Sequence, residues 1–149
     1  MGDTFTQLST HIVFSTYKRE PNLKKSFRTD VFRYISGIIN QRGHYSICIG
    51  GIEDHIHILV EANPKEGMSK LVQEIKTSSG KYINDQQWLP GKFKWQTGFS
   101  AFSVSRSHRK QTIDYIENQE EHHKNMTFED EYRSFLKKHG INFKDEYLF

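Results

Sequence analysis

Seven consecutive residues, Asp54-His55-Ile56-His57-Ile58-Leu59-Val60, allow few folds, because an apolar run this short and rich in β-branched side chains reads as a strand. Successive strand side chains point to opposite faces, so His55 and His57 point the same way while Ile56 and Ile58 face the other layer. Two imidazoles side by side on a rigid strand supply two neighbouring positions of a metal's coordination sphere and leave the rest open. The same spacing also fits partly exposed histidines on the polar side of a half-buried strand, so other segments must decide.

Those segments follow a definite order. Phe5 to Tyr17 is rich in Thr, Ile, Val and Phe and reads as a strand, and Pro21 to about Gln41 carries Leu23, Phe27, Val31, Phe32, Ile35, Ile38 and Ile39 at helical spacing. Gly43 ends that helix, and His44 to Gly51 makes a second strand. The pair Gly50-Gly51 fits a tight turn or bulge before a third strand, His55 to Glu61. Met68 to about Trp88 reads as a second long helix with Leu71, Ile75, Tyr82 and Ile83 on one face; Pro90-Gly91 breaks it, and Phe99 to Val104 is the last strand. The order β-α-β-β-α-β predicts an α+β fold, a ferredoxin-like split βαβ antiparallel sheet with helices on one face. Two C-terminal helices follow, the second from Thr127 to His139 with Thr127 as N-cap, Glu129 and Asp130 in its first turn and Gly140 at its end.

The first of those two helices is Ser107-His108-Arg109-Lys110-Gln111-Thr112-Ile113-Asp114-Tyr115-Ile116-Glu117-Asn118-Gln119, free of proline and glycine, with Ser105 and Ser107 as candidate N-caps. Tyr115 and Gln119 stand one turn apart on one face. A tyrosine can act as a covalent nucleophile, and a glutamine offers a neutral hard oxygen to a divalent cation. A tyrosine on such a helix is equally at home as an ordinary amphipathic residue.

Composition narrows the classes further. At 149 residues the chain is expected to be one domain, 1–149, with a real core and no room for a helicase or ATPase module. The single cysteine, Cys48, excludes a disulfide scaffold and a cysteine-rich zinc site, and as a packing residue it fits a reducing, cytoplasmic location. No secretory segment follows Met1, and no apolar run approaches the roughly 18 residues of a membrane span. Net charge is +3, but residues 1–50 carry seven Lys and Arg against three Asp and Glu, while residues 51–149 carry 14 against 15. Lys18, Arg19, Lys24, Lys25, Arg28 and Arg33 therefore form one candidate surface for a phosphate backbone. Arg106, Arg109 and Lys110 form a second, at the start of the helix that carries Tyr115, where a helix N-terminus also attracts phosphate.

Taken together, His55-Ile56-His57 and Tyr115-Ile116-Glu117-Asn118-Gln119 resemble the single-tyrosine HUH transposases, the TnpA-type enzymes of small bacterial insertion sequences. The likeness runs over nearly the whole chain. It takes in Ser9-Thr10-His11-Ile12-Val13-Phe14-Ser15-Thr16-Tyr17-Lys18-Arg19, Gly50-Gly51-Ile52-Glu53-Asp54, Trp95-Gln96-Thr97-Gly98-Phe99-Ser100-Ala101-Phe102-Ser103-Val104 and Phe135-Leu136-Lys137-Lys138-His139-Gly140-Ile141. The resemblance implies that His55, His57 and Gln119 bind Mg²⁺ or Mn²⁺, that Tyr115 is the nucleophile, and that the substrate is single-stranded DNA with hairpin ends. It also implies a homodimer in which the tyrosine helix is exchanged between subunits, which the short link from Val104 to Ser107 favours, since it leaves little slack for the helix to cross its own sheet.

Within that reading Tyr115 attacks the scissile phosphorus, leaving a 5′-phosphotyrosyl enzyme and a free 3′-hydroxyl, so that a second 3′-hydroxyl can rejoin new ends without ATP. Asp54 and Glu117 are candidates for supporting roles, His122 and His123 read as a surface pair, and Tyr17 and Trp95 are candidate stacking platforms, Trp95 being equally a core residue. Two other readings fit the residues less fully. A ferredoxin-like single-strand-binding module leaves the Tyr115 and Gln119 pair unexplained. A metal-dependent nuclease that uses water would keep the metal and dispense with the tyrosine.

Overall fold

The computed structural model describes residues 2–142. Its centre is a four-stranded antiparallel sheet in the order β2-β3-β1-β4, formed by β1 (Ser9–Ser15), β2 (Tyr45–Ile52), β3 (His55–Glu61) and β4 (Ser100–Ser103). The two inner strands carry the densest β-branched and aromatic sequence, Ile12-Val13-Phe14 and Ile56 to Val60, which suits positions paired on both sides. α1 (Lys25–Gln41) and α2 (Met68–Gln86) lie on one face. Their stripes Phe27, Val31, Ile35, Ile39 and Leu71, Val72, Ile75, Ile83 meet Ile12, Phe14, Ile56, Ile58 and Val60 in the main core. Each such side chain contributes about 1.5–3 kcal/mol by leaving water. Trp95 belongs to this core, donating from Nε1 to Ser79 Oγ at 2.9 Å, and is not a stacking platform.

Some boundaries move inward. β1 starts at Ser9, since Phe5 is 88% exposed and outside the sheet. A 3₁₀ turn, Tyr17–Arg19, with Lys18 and Arg19 at positive φ, separates β1 from the helix, which begins at Lys25 rather than Pro21.

The second face of the sheet is also covered. α3 (Arg109–Glu117), α4 (Gln119–His122) and α5 (Phe128–Lys138) lie over it, and Phe128, Tyr132 and Leu136 pack on Val13 and Phe102. Asn118 leaves helical geometry at φ −103° and ψ 27°, dividing the expected single helix into α3 and α4. Ser105 and Ser107 do not cap it: His108 holds the N-cap position without a side-chain cap bond, and Ser105 Oγ meets His108 Nδ1 at 2.7 Å. α5 has the expected cap, the Thr127 hydroxyl accepting from the Asp130 amide, and Gly140 at φ 66° follows its end.

Gly50 and Gly51 serve neither as a turn nor as the bulge, which falls at Ser46 and Cys48. They lie within β2, where α3 crosses so closely that a Cβ at Gly50 would overlap the Ile116 carbonyl oxygen. The link after Val104, expected to leave little slack, is long enough for the helix to cross its own sheet. A 3₁₀ turn, Arg106–His108, redirects the chain, and α3 reaches its own sheet with Ile116 fully buried. Among the described residues no helix is long and apolar enough to cross a membrane.

Candidate active site

β3 aims His55 and His57 at the face covered by the C-terminal helices, both 0% exposed, with ring centroids 5.1 Å apart. Across the ladder His57 pairs with Val13 and Gly50, and His55 with Ser15 and Ile52. Each ring is held from behind. Asp54 Oδ1 accepts from His55 Nδ1 at 2.8 Å, and His11 Nε2 lies 2.8 Å from His57 Nδ1. Orienting partners of this kind fix which ring nitrogen faces the centre.

Towards those nitrogens come groups from three helices. Gln119 of α4 donates its amide Nε2 to the Tyr115 carbonyl at 3.3 Å, which turns Oε1 to within 2.9 Å of His55 Nε2. Glu131 of α5, 1% exposed, accepts from His57 Nε2 at 2.9 Å through Oε1, and the same oxygen lies 3.4 Å from His55 Nε2. Its other oxygen accepts from the Tyr115 hydroxyl. His123 donates from Nδ1 to the Met126 carbonyl at 2.6 Å and presents Nε2 to Gln119 Oε1 at 3.1 Å and to Glu131 Oε2 at 3.3 Å. The Tyr115 ring lies 5.8 Å from that of His57, edge to face, and 4.5 Å from His122. All of this is built within one chain.

Burial and charge compete at each group. Burial drives His57 down to about 4, with Glu131 opposing only in part, so its ring is neutral at neutral pH. Burial also works against charge on His55, but the Asp54 and Glu131 carboxylates outweigh it and raise its pKa. For Glu131 burial favours the neutral acid, yet the surrounding His123, His55 and His57 hold its carboxyl well below the usual range. Burial first, then the Glu131 charge, pushes the Tyr115 phenol well above its ordinary value, so it is a hydroxyl in this arrangement.

His55, His57 and Glu131 offer three ligand atoms lying within 4.8 Å of one another. Gln119 Oε1 faces the same space. Two imidazole nitrogens, one carboxylate and one amide oxygen form a mixed N/O set of the kind that holds a divalent cation, without the thiolates of a closed structural zinc site. The residues therefore fit a divalent cation. Binding one through His57 Nε2 requires the tautomer that keeps its proton on Nδ1, towards His11.

The remaining expected residues divide. Arg28 is buried at 5% exposure, donating to the Gly51 carbonyl, whereas Arg109 pairs with Glu61 at 3.1 Å with its side chain 37% exposed. Lys25 meets Glu120 at 3.5 Å on the surface. Lys18, Lys24, Arg106 and Lys110 are exposed, as is Arg33, whereas Arg19 is half-buried and 3.8 Å from Glu129. Glu117 is exposed and outside the cluster, while Asp54 is part of it. A cavity of about 630 Å³ opens beside Tyr115 and Glu131, between α5 and the start of α3, with Phe102, Gln111, Phe135 and Lys138 on its walls.

Reading the sequence missed Glu131, His123 and His11. His122 and His123 are not the surface pair expected of them, the His123 side chain being 5% exposed. One signal did exist for Glu131: it stands among Phe128, Tyr132, Phe135 and Leu136 on the apolar stripe of its helix, where a carboxylate needs a reason to be.

A family model described as "Transposase IS200 like" matches residues 4–119. The ISDra2 transposase TnpA of Deinococcus radiodurans is 25% identical over 118 residues, which is 76% of this chain and 84% of that protein. Two solved structures share the fold. One, described as a transposase of Deinococcus radiodurans R1, superposes with a TM-score of 0.63 at 23% identity, covering 80% of this chain and 96% of that one. The other is a REP-associated tyrosine transposase bound to a REP hairpin, with a TM-score of 0.56 at 15% identity, covering 78% and 68%.

Proposed function

Because this chain belongs to the family of IS200-like transposases, with the His-x-His and tyrosine motifs of the single-tyrosine HUH type, we propose that it cleaves and rejoins single-stranded DNA through Tyr115. The observation that carries this reading is the convergence, in one buried cluster, of the Tyr115 hydroxyl with His55, His57, Gln119 and Glu131. Neither a binding module nor a nuclease that uses water needs a tyrosine there.

His55, His57, Gln119 and Glu131 would hold the cation, Mg²⁺ or Mn²⁺, which would supply Lewis acidity towards the scissile phosphate. Asp54 and His11 keep the two imidazoles in register. The phosphate enters beside Tyr115, from the side of the cavity. Attack by Tyr115 Oη forms the O–P bond and breaks the bond from phosphorus to the 3′-oxygen; the proton lost by the phenol balances the one gained by the leaving 3′-oxygen. Holding nucleophile and electrophile together in a nearly dry site accounts for roughly 7–11 kcal/mol of barrier in well-oriented reactions. Exposed Lys18, Lys24, Arg106 and Lys110 supply backbone contacts, and hairpin DNA, bound by the REP-associated relative, is the substrate form we assign.

Incubation with Mn²⁺ and single-stranded DNA from the element's own end tests the reading: wild type gives a covalent adduct and Tyr115→Phe gives none. Cleavage retained by Tyr115→Phe would make water the nucleophile. The exchanged homodimer is tested by mixing Tyr115→Phe protein with a His55→Ala, His57→Ala protein. The arrangement within one chain leads us to expect no recovery, and adduct formation restored by mixing would establish exchange.

A further inference from the structure

Glu131 lies beyond the segment 4–119 that matches the family model, on α5. Phe128, Tyr132 and Leu136 anchor α5 against Val13 and Phe102, and a buried carboxylate on the same stripe is costly to desolvate unless its partners offset it. Yet this carboxylate is 1% exposed and both oxygens turn to the active centre. Oε1 faces His57 Nε2 at 2.9 Å and His55 Nε2 at 3.4 Å, while Oε2 accepts from the Tyr115 hydroxyl and lies 3.3 Å from His123 Nε2.

We propose that Glu131 couples the nucleophile to the cation: Oε1 is a ligand beside His55, His57 and Gln119, and Oε2 holds the Tyr115 hydroxyl, so that α5 is part of the active site. The nucleophile's role here rests on the function proposed above; the ligand role does not. His55, His57 and Gln119 alone form a ligand set without a negative charge, which would wait for the substrate phosphate to supply one. A carboxylate in the set binds the cation before DNA arrives. A magnesium or manganese ion takes about six donors, so four from the protein leave room for the phosphate. Because one side chain touches both partners, withdrawal of α5 would release tyrosine and cation together.

The test uses the full chain and two readouts. Mn²⁺ binding without DNA is followed by electron paramagnetic resonance, where Glu131→Gln, nearly isosteric, should raise the dissociation constant by about 10–100-fold, while Tyr115→Phe leaves it near wild type. Adduct formation on single-stranded DNA is then measured at saturating Mn²⁺. Glu131→Gln should remain about 100-fold slow there, because filling the metal site does not restore the hold on the tyrosine. Glu131→Asp keeps the charge but shortens the reach; it should bind Mn²⁺ better than Glu131→Gln and still react slowly, and it stands in if Glu131→Gln fails to fold. Folded Glu131→Gln protein with wild-type Mn²⁺ affinity would overturn the ligand role. A faster reaction in Glu131→Gln or Glu131→Ala would overturn the coupling and show that the carboxylate occupies the place of the phosphate. If wild type forms no adduct with any single strand, the proposed function fails, and the Mn²⁺ arm still decides whether Glu131 is a ligand.

Discussion

Replacing Gly50 by alanine should cripple the reaction from a position that touches no substrate. A Cβ at residue 50 would overlap the carbonyl oxygen of Ile116 and stand 3.0 Å from both its carbonyl carbon and its Cγ2. The closest of these atoms are helix backbone rather than the end of a flexible side chain, and Gly50 itself is fixed in a strand paired with β3 opposite His57. α3 must therefore rise from β2 by roughly 1 Å, an overpacking that costs about 1–3 kcal/mol, or roughly 3–10 °C in melting midpoint for a chain of this size. Tyr115 precedes Ile116 and Gln119 follows it by three residues, so both ride on the same lift, and a misplacement of about 1 Å at a reacting group costs about 100-fold in rate. We expect folded Gly50→Ala protein to lose about two orders of magnitude in adduct formation. Gly37, in α1, is the control: nothing lies within 4 Å of its would-be Cβ, and Gly37→Ala should add about 0.5–1 kcal/mol with no change in rate. A Gly50→Ala protein with wild-type melting and wild-type rate would refute the close packing of α3 on β2 and the positioning argument built on it.

Two further outcomes follow from the electrostatics. The Arg42 guanidinium, and after it His44, hold the Glu66 carboxyl at about 2, below its ordinary 4.5. Because the folded value is the lower one, this pairing stabilises fully above about pH 4.5 and is lost as pH falls towards 2. In urea melts Glu66→Gln should be less stable than wild type at pH 6, with the gap narrowing steadily between pH 4.5 and 2; a gap independent of pH would refute it. Mn²⁺ at about 100 times its dissociation constant should stabilise the wild type by about 2.7 kcal/mol, reversed by chelation and absent in the His55→Ala, His57→Ala protein. An equal shift in that variant would place the cation elsewhere.

Local pattern by itself determined the elements and the faces that bear the two motifs. A period of two puts His55 and His57 on one side of β3 and a helical turn relates Tyr115 to Gln119, because those spacings are properties of the backbone alone. Thr127 and Gly140 marked the ends of α5 for the same reason. Tertiary structure decided what such periods cannot carry. Glu131 meets His57 across 74 positions and Gln119 meets His55 across 64, contacts that exist only once α4 and α5 close over the second face of the sheet. Gly50 reads locally as a turn residue, yet its meaning is the Ile116 backbone pressed against it. Arg28 reads as a surface group for DNA and Trp95 as either a stacking platform or a core residue until the fold buries both, one on the Gly51 carbonyl and the other on Ser79. In each case the deciding quantity is the space left between two layers, which depends on every side chain that lines it and on no one stretch of sequence.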